Sequence, residues 1–260
     1  MGARALAGHK TVVSEVGQGP RRAVLAHCSL ARQETLIPLA RLMGEDWSSQ
    51  LFDMPGHGRA ADWEAGAGEY QLKLAEMMAA LGPAVMLGHS FGATGALRAA
   101  VEVPDRVEAL VLIEPVFFAA AAETDAYRRF EASQAEFIAA TEAGEAEAMA
   151  RAFTAVWGTG EPWEAMPARA RAEITARIHL IPPQAPSLYE DIGGVLPRLS
   201  EVGCPVHLIR GERSPPIIEA IHAGLMARMP QAVETVIPGA GHMAPITHAG
   251  AVARAIREAR

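Results

Sequence analysis

The stretch that most constrains the fold is residues 84–100, AVMLGHSFGATGALRAA: an apolar run, a serine held between glycines, then a segment of small, helix-favouring residues. At Gly88-His89-Ser90-Phe91-Gly92 the spacing is G-x-S-x-G. Glycine tolerates the close backbone approaches of a sharp strand-to-helix turn, and such a turn lifts the serine hydroxyl above the edge of a sheet. The flanks agree, since residues 84–87 read as a short buried strand and residues 91–101 as a closely packed helix. A glycine-rich turn with an ordinary serine is the bland alternative; the strand before and the helix after favour a nucleophile.

The chain around this turn alternates. Residues 11–16 (TVVSEV) and 22–27 (RAVLAH) are β-rich and separated by Gly17-Gln18-Gly19-Pro20. An amphipathic helix over 34–43 follows, then a strand over 48–53 that ends in the turn Met54-Pro55-Gly56-His57-Gly58-Arg59, and a helix over 70–81. After the serine strand and its helix, 107–113 (VEALVLI) is apolar enough to be buried on both faces. This rhythm predicts a parallel sheet covered by helices on both sides. It breaks after Glu114-Pro115: residues 117–200 carry helical, Ala- and Glu-rich stretches punctuated by Gly and Pro, with almost no strand signal. It resumes with a strand at 205–210, a helix at 217–229, a strand at 233–237, a loop at 238–245 and a final helix at 247–258. The expected organisation is a core of residues 1–116 and 201–260 with a helical cap, 117–200, inserted after the sixth strand.

With 260 residues the chain can bury a full-sized core. Net charge is −7, and only Lys10 and Lys73 among the 23 basic residues are lysines, with no basic run, which argues against a nucleic-acid partner. No apolar stretch is long enough to span a bilayer, so no membrane partner is expected. Cys28 and Cys204 do not make a disulfide framework and the first ten residues lack the apolar core of a secretory signal, so a cytoplasmic setting is expected. There is no metal-binding spacing such as H-E-x-x-H or C-x-x-C and no phosphate loop, so neither metal nor cofactor is expected. The expected partner is a small-molecule substrate; oligomeric state is left open.

A serine hydroxyl is a weak nucleophile at neutral pH and needs a base, and the base needs an orienting group. Of the nine histidines, His242 stands out, because Gly239-Ala240-Gly241-His242-Met243 follows the last strand, and loops after parallel strands converge on one sheet edge. His207 reads as a strand core residue, and His9, His179, His222 and His248 as surface or helix-terminal. Two donors must hold the oxyanion of acyl transfer: the N–H of Phe91, after the nucleophile, and one from the loop after RAVLAH, where Ser29 is chosen against Cys28 or Leu30.

These landmarks together resemble the α/β-hydrolase superfamily over essentially the whole chain: His27-Cys28 where the family usually has His-Gly, the 53–59 turn DMPGHGR against D-x-P-G-x-G-x-S, the GHSFG elbow, VLIEP, PVHLIRGE and GAGHM. The resemblance implies an eight-stranded, mostly parallel sheet with helices on both faces, and a pocket between cap and core. It fixes no substrate. Cys28 replaces a glycine and reads as a packing cysteine, and Ala60 replaces a common serine. The third departure bears on mechanism: the family's triad acid follows the seventh strand as G-x-x-D, whereas Gly211-Glu212-Arg213-Ser214 has a serine there. Some members, notably certain haloalkane dehalogenases, carry the acid after the sixth strand, where Glu114 stands; Glu212 is the alternative acid. Members with that chemistry, like epoxide hydrolases, use Asp at the elbow, so Ser90 points instead to esters, thioesters, lactones, amides or activated C–C bonds.

The expectation is therefore a serine hydrolase of the esterase type acting on a small, apolar acyl substrate through an acyl-enzyme, with Ser90, His242 and Glu114 as triad. Alternatives are a lactonase or C–C bond hydrolase on the same triad, or a ligand-binding member of the fold left catalytically weak by the missing Asp. Most of the aromatics Phe117, Phe118, Tyr127, Phe130, Phe137, Phe153, Trp157, Trp163 and Tyr189 are expected to pack the cap, a minority to face substrate, with Phe117 and Phe118 best placed.

Overall fold

The structure is a computed structural model describing residues 2–64 and 69–258. Residues 1, 65–68, 259 and 260 of the expected core segments lie outside the described residues. The eight strands are β1 (Gly2–Leu6), β2 (His9–Val16), β3 (Arg21–Ala26), β4 (Trp47–Phe52), β5 (Ala84–His89), β6 (Val107–Ile113), β7 (Val206–Gly211) and β8 (Val233–Ile237). They form one sheet in the order β1-β2-β4-β3-β5-β6-β7-β8. The β1–β2 and β2–β4 pairings are antiparallel and every other pairing is parallel.

β1 departs from expectation. Its sequence GARAL is exposed except at Leu6, so it carries no buried apolar run; Ala7 and Gly8, with φ of 45° and 80°, turn the chain back and let it pair with β2. The remaining strands fall within a residue or two of their expected bounds, since both faces of the central ones are covered. Every residue of β5 is buried, as an apolar run in mid-sheet requires.

The helices are α1 (Ile37–Leu42), α2 (Tyr70–Leu81), α3 (Phe91–Glu102), α4 (Asp125–Ser133), α5 (Ala135–Ala143), α6 (Ala146–Trp157), α7 (Ala168–Arg177), α8 (Ala185–Tyr189), α9 (Pro216–Arg228), α10 (Ala244–Thr247) and α11 (Ala249–Glu258). The helix expected over 34–43 opens as a 3-10 turn, Gln33–Leu36, before α1, and the one expected over 247–258 divides into α10 and α11. Two apolar clusters lie on opposite faces of the sheet. One joins Leu74, Met77 and Met78 of α2 and Leu97 of α3 to Ile217, Ile221 and Leu225 of α9; the other joins Leu39 of α1 to Val252 and Ile256 of α11. Between β6 and β7 the described residues contain helices and turns but no strand, with α4 to α8 in that interval. No helix among the described residues is long and apolar enough to cross a membrane.

Candidate active site

Ser90 sits between the end of β5 and the start of α3 with φ 57° and ψ −119°. A non-glycine residue there is strained by about 1–3 kcal/mol, which the surrounding packing must offset. The flanking glycines are dictated by space: a Cβ on Gly88 would lie 2.2 Å from the Gly92 carbonyl oxygen, and one on Gly92 would lie 2.4 Å from that of Ala26. The Ser90 N–H donates to the Ile113 carbonyl at 2.8 Å, binding the turn to the end of β6.

At that end stands Glu114, also in the left-handed region with φ 53°, its N–H donating to the Ile209 carbonyl of β7 at 2.8 Å. The carboxylate is fully buried and is met by three donors among the described residues. Oε1 accepts from the Gly211 N–H and from the Ser214 hydroxyl, each at 2.6 Å. Oε2 lies 3.0 Å from His242 Nδ1, and His242 Nε2 lies 3.0 Å from Ser90 Oγ. A buried carboxylate with no proton to give requires the imidazole proton on Nδ1, which leaves Nε2 as the acceptor facing the serine hydroxyl. Burial alone would raise the Glu114 carboxyl, but the hydrogen bond and charge of His242, with the donors from Ser214 and Gly211, hold it below the usual carboxylate range. His242 is further held by packing, with the Trp157 ring edge-on at 4.7 Å and the His89 Nε2–H donating to its carbonyl at 2.9 Å.

The structure thus brings together Ser90, His242 and Glu114 and leaves Glu212 aside: the Glu212 carboxylate accepts from the Gly239 N–H at 2.8 Å. Ser214 has a part that sequence reasoning missed. Read as the absence of an acid, it is a donor to the Glu114 carboxylate at the end of the neighbouring strand; the signal was the pairing of a hydroxyl at 214 with a carboxylate at 114, legible only once β6 and β7 are known to be adjacent.

The loop after β3 lies on the other side of Ser90. Leu30, with φ 64°, donates its N–H to His57 Nε2 at 2.9 Å, which removes it as an oxyanion donor. Among the described residues, no protein acceptor takes the N–H of Ser29 or of Phe91. Behind the loop, His57 Nδ1–H donates to the Pro55 carbonyl at 2.8 Å, and His27 accepts the Met54 N–H at 3.0 Å while donating to the Cys28 carbonyl at 2.7 Å. Burial drives His57 and His89 down to about 3, so both are neutral spacers at neutral pH. Burial pushes the Cys28 thiol up to about 12, leaving it an unreactive packing group.

Two cavities meet at Ser90. The larger, about 560 Å³, is walled by Val116, Phe118, Tyr127, Phe137, Phe153, Trp157, Leu188 and Tyr189, with Ser29, Gln184 and three glutamates. The smaller, about 150 Å³, includes Cys28, Leu30, Met166, Ile174, His242 and Met243. Ser29, Ser90, Phe153 and Trp157 border both. Phe117, expected beside Phe118 as a pocket residue, is instead fully buried in the core, because adjacent side chains leave the backbone in different directions. Conversely, Phe118, Tyr127, Phe137, Phe153, Trp157 and Tyr189 all border the larger cavity, more of the aromatics than expected. His222, expected at the surface or at a helix end, is buried within α9 and paired with Glu234 at 2.7 Å; its partner lies on β8, out of reach of local sequence. His207 is buried in β7 as expected.

Comparison with known proteins agrees with this architecture. The sequence profile described as "Alpha/beta hydrolase family" matches residues 23–255. The chain is 31% identical over 219 residues to Lipase LipV of Mycobacterium tuberculosis, covering 79% of this chain and 80% of that protein. It is 28% identical over 240 residues to 2-(acetamidomethylene)succinate hydrolase of Mesorhizobium japonicum, covering 88% and 84%. The crystal structure of bromoperoxidase from Bacillus anthracis superposes with a TM-score of 0.76 at 16% identity, over 98% of this chain and 97% of that one, a likeness of fold alone.

Proposed function

The chain belongs to the alpha/beta hydrolase family, and from that premise we propose that it is a serine hydrolase cleaving a small, apolar ester-type substrate beneath a helical cap formed by residues 117–200. The observation that carries the reading is the continuous relay from Ser90 Oγ to His242 Nε2 and from His242 Nδ1 to Glu114, each contact 3.0 Å, with Ser90 bordering both cavities. Relatives named as a lipase and a hydrolase support the same reaction class.

Ser90 Oγ attacks the acyl carbon as its proton passes to His242 Nε2. The imidazolium so formed is stabilised by Glu114, which stays ionised. The N–H groups of Phe91, at the start of α3, and of Ser29 hold the oxyanion. Collapse of the intermediate breaks the bond to the leaving group, which takes the proton from His242 Nε2. Since His242 and Met243 border the smaller cavity, the leaving group belongs there and the acyl group in the larger, aromatic one. Water then attacks the acyl-enzyme with His242 as base, returning Ser90 to its hydroxyl form.

The rival reading, a ligand-binding protein on this scaffold, rested on the absent aspartate at 214; a Glu114 carboxylate 3.0 Å from His242 Nδ1 supports the hydrolase reading over it. The test is turnover of p-nitrophenyl acyl esters of graded chain length. The expected result is burst kinetics and a fall of at least about 10³-fold in kcat for Ser90→Ala. Ester turnover that survives Ser90→Ala undiminished would overturn the proposal.

A further inference from the structure

Among the described residues, four border both cavities at Ser90: Ser29 and Ser90 itself from the core, and Phe153 and Trp157 from α6. Positions 153 and 157 are one helical turn apart, so the two rings share one face of α6. A side chain that borders two adjoining cavities stands between them, and this face of α6 is what divides the one from the other. The two rings are held differently. Trp157 is buried, with the rings of His242 at 4.7 Å, Phe130 at 5.6 Å and Phe118 at 6.0 Å around it. Phe153 is half-buried, in ring contact with Phe137 at 6.3 Å. It packs against both the main apolar cluster and a smaller one that holds Met149, Ala150, Trp163 and Ile178. Trp157 is built into the wall around the base, whereas Phe153 can be cut back with Trp157 still against His242.

The cavities differ in size as well as in place. About 150 Å³ is the space that takes one benzene-sized molecule. About 560 Å³ lies in the range of pockets that bury a whole drug-sized ligand. In the serine hydrolase reading His242 hands its proton to the leaving group, and of the two cavities His242 borders only the smaller. The alcohol is therefore confined, while the acyl group has more than three times the room. An alcohol larger than one ring meets Phe153, Met166, Ile174 and Met243, and close-packed walls admit extra atoms only by leaving their preferred rotamers.

We propose that Phe153 is a specificity-determining residue, a partition that confines the leaving group to the size of a single ring and reserves the larger cavity for the acyl group. This rests on the serine hydrolase reading and adds the substrate class: esters that join a bulky apolar acid to a compact alcohol.

Two isomeric esters separate the sides of the site: methyl 2-naphthylacetate carries the fused rings on its acyl group, and 2-naphthylmethyl acetate carries the same rings on its alcohol. Only the direction of the ester differs. The ratio of kcat/KM, first ester over second, is measured by titrating the released acid for the wild type and for Phe153→Ala and Phe153→Leu; dividing the ratios cancels the intrinsic reactivity of each ester and any general loss of activity. Phe153→Ala removes the ring and joins the cavities. Phe153→Leu keeps an apolar side chain against both clusters, so either variant serves if the other fails to fold. The wild-type ratio is expected to exceed that of the variants by about tenfold or more, the scale on which a hydrophobic pocket discriminates by size. The small isomers methyl propanoate and ethyl acetate fit in either direction, and their ratio is expected to stay the same in all three proteins. Four results would overturn the inference and leave the hydrolase reading standing, provided turnover of the esters that are accepted depends on Ser90. They are no turnover of methyl 2-naphthylacetate, a wild type that prefers 2-naphthylmethyl acetate, naphthyl ratios equal in wild type and variants, and a shift in the small pair as large as that in the naphthyl pair. If no ester is turned over, or turnover survives Ser90→Ala undiminished, the hydrolase reading falls and this inference falls with it.

Discussion

Replacing Glu114 by glutamine keeps the shape of the side chain and changes one atom, and the surrounding donors dictate where that atom goes. Oε1 receives both the Gly211 N–H and the Ser214 hydroxyl at 2.6 Å, so an amide NH2 at that end would face two donors. The carbonyl oxygen of the introduced amide must therefore take that position, and its NH2 must face His242 Nδ1. The imidazole answers by carrying its proton on Nε2, which then points an N–H at Ser90 and cannot take the serine's proton. The imidazolium also loses its counter-charge. In serine triads this change of tautomer costs about 10⁴-fold in kcat, roughly 5.5 kcal/mol. Glu212→Gln, whose carboxylate accepts from the Gly239 N–H at an exposed loop, is expected to stay within about twofold of wild type. The assay is ester turnover by both variants alongside circular dichroism to confirm folding. If Glu114→Gln keeps kcat within about tenfold while Glu212→Gln loses orders of magnitude, the assignment of the orienting group is wrong.

Ser214→Ala removes the hydroxyl donor to Glu114 and should lower kcat about tenfold with little change in KM, measured by steady-state kinetics. Gly92→Ala places a Cβ 2.4 Å from the Ala26 carbonyl oxygen and should cost several kcal/mol, read as loss of soluble protein or a large fall in Tm. Stability should fall on mild acidification. His57 and His89 are held near 3 in the fold against 6.5 in the unfolded chain, so between those values the unfolded chain binds more protons and acid favours unfolding. Two such groups give a limiting slope of roughly 2.7 kcal/mol per pH unit, and urea midpoints that do not move between about pH 7 and 5 would contradict it. Glu114, held low in the fold, adds loss in the same direction only as pH drops through the carboxylate range.

What could be read from sequence was local and buried. The elbow and β6 are legible because an apolar run in a covered sheet, or a glycine that only close backbone approach explains, leaves its mark in consecutive residues. β1 left none, being an exposed edge strand of mostly small residues whose signal is the Ala7-Gly8 turn. Side-chain roles that depend on a partner far along the chain were the ones missed or half seen: Ser214 with Glu114, and His222 with Glu234. Phe117 and Phe118 both pack in the core, but of the two Phe118 alone also borders the cavity, a distinction set by the backbone path after β6.

The central claim is that Ser90 is an activated nucleophile, and covalent labelling with a fluorophosphonate followed by peptide mapping tests it most directly. The account predicts one adduct per chain, on the peptide carrying Ser90, formed far more slowly in His242→Ala. Folded protein that takes no label, or takes it on another residue, would contradict it.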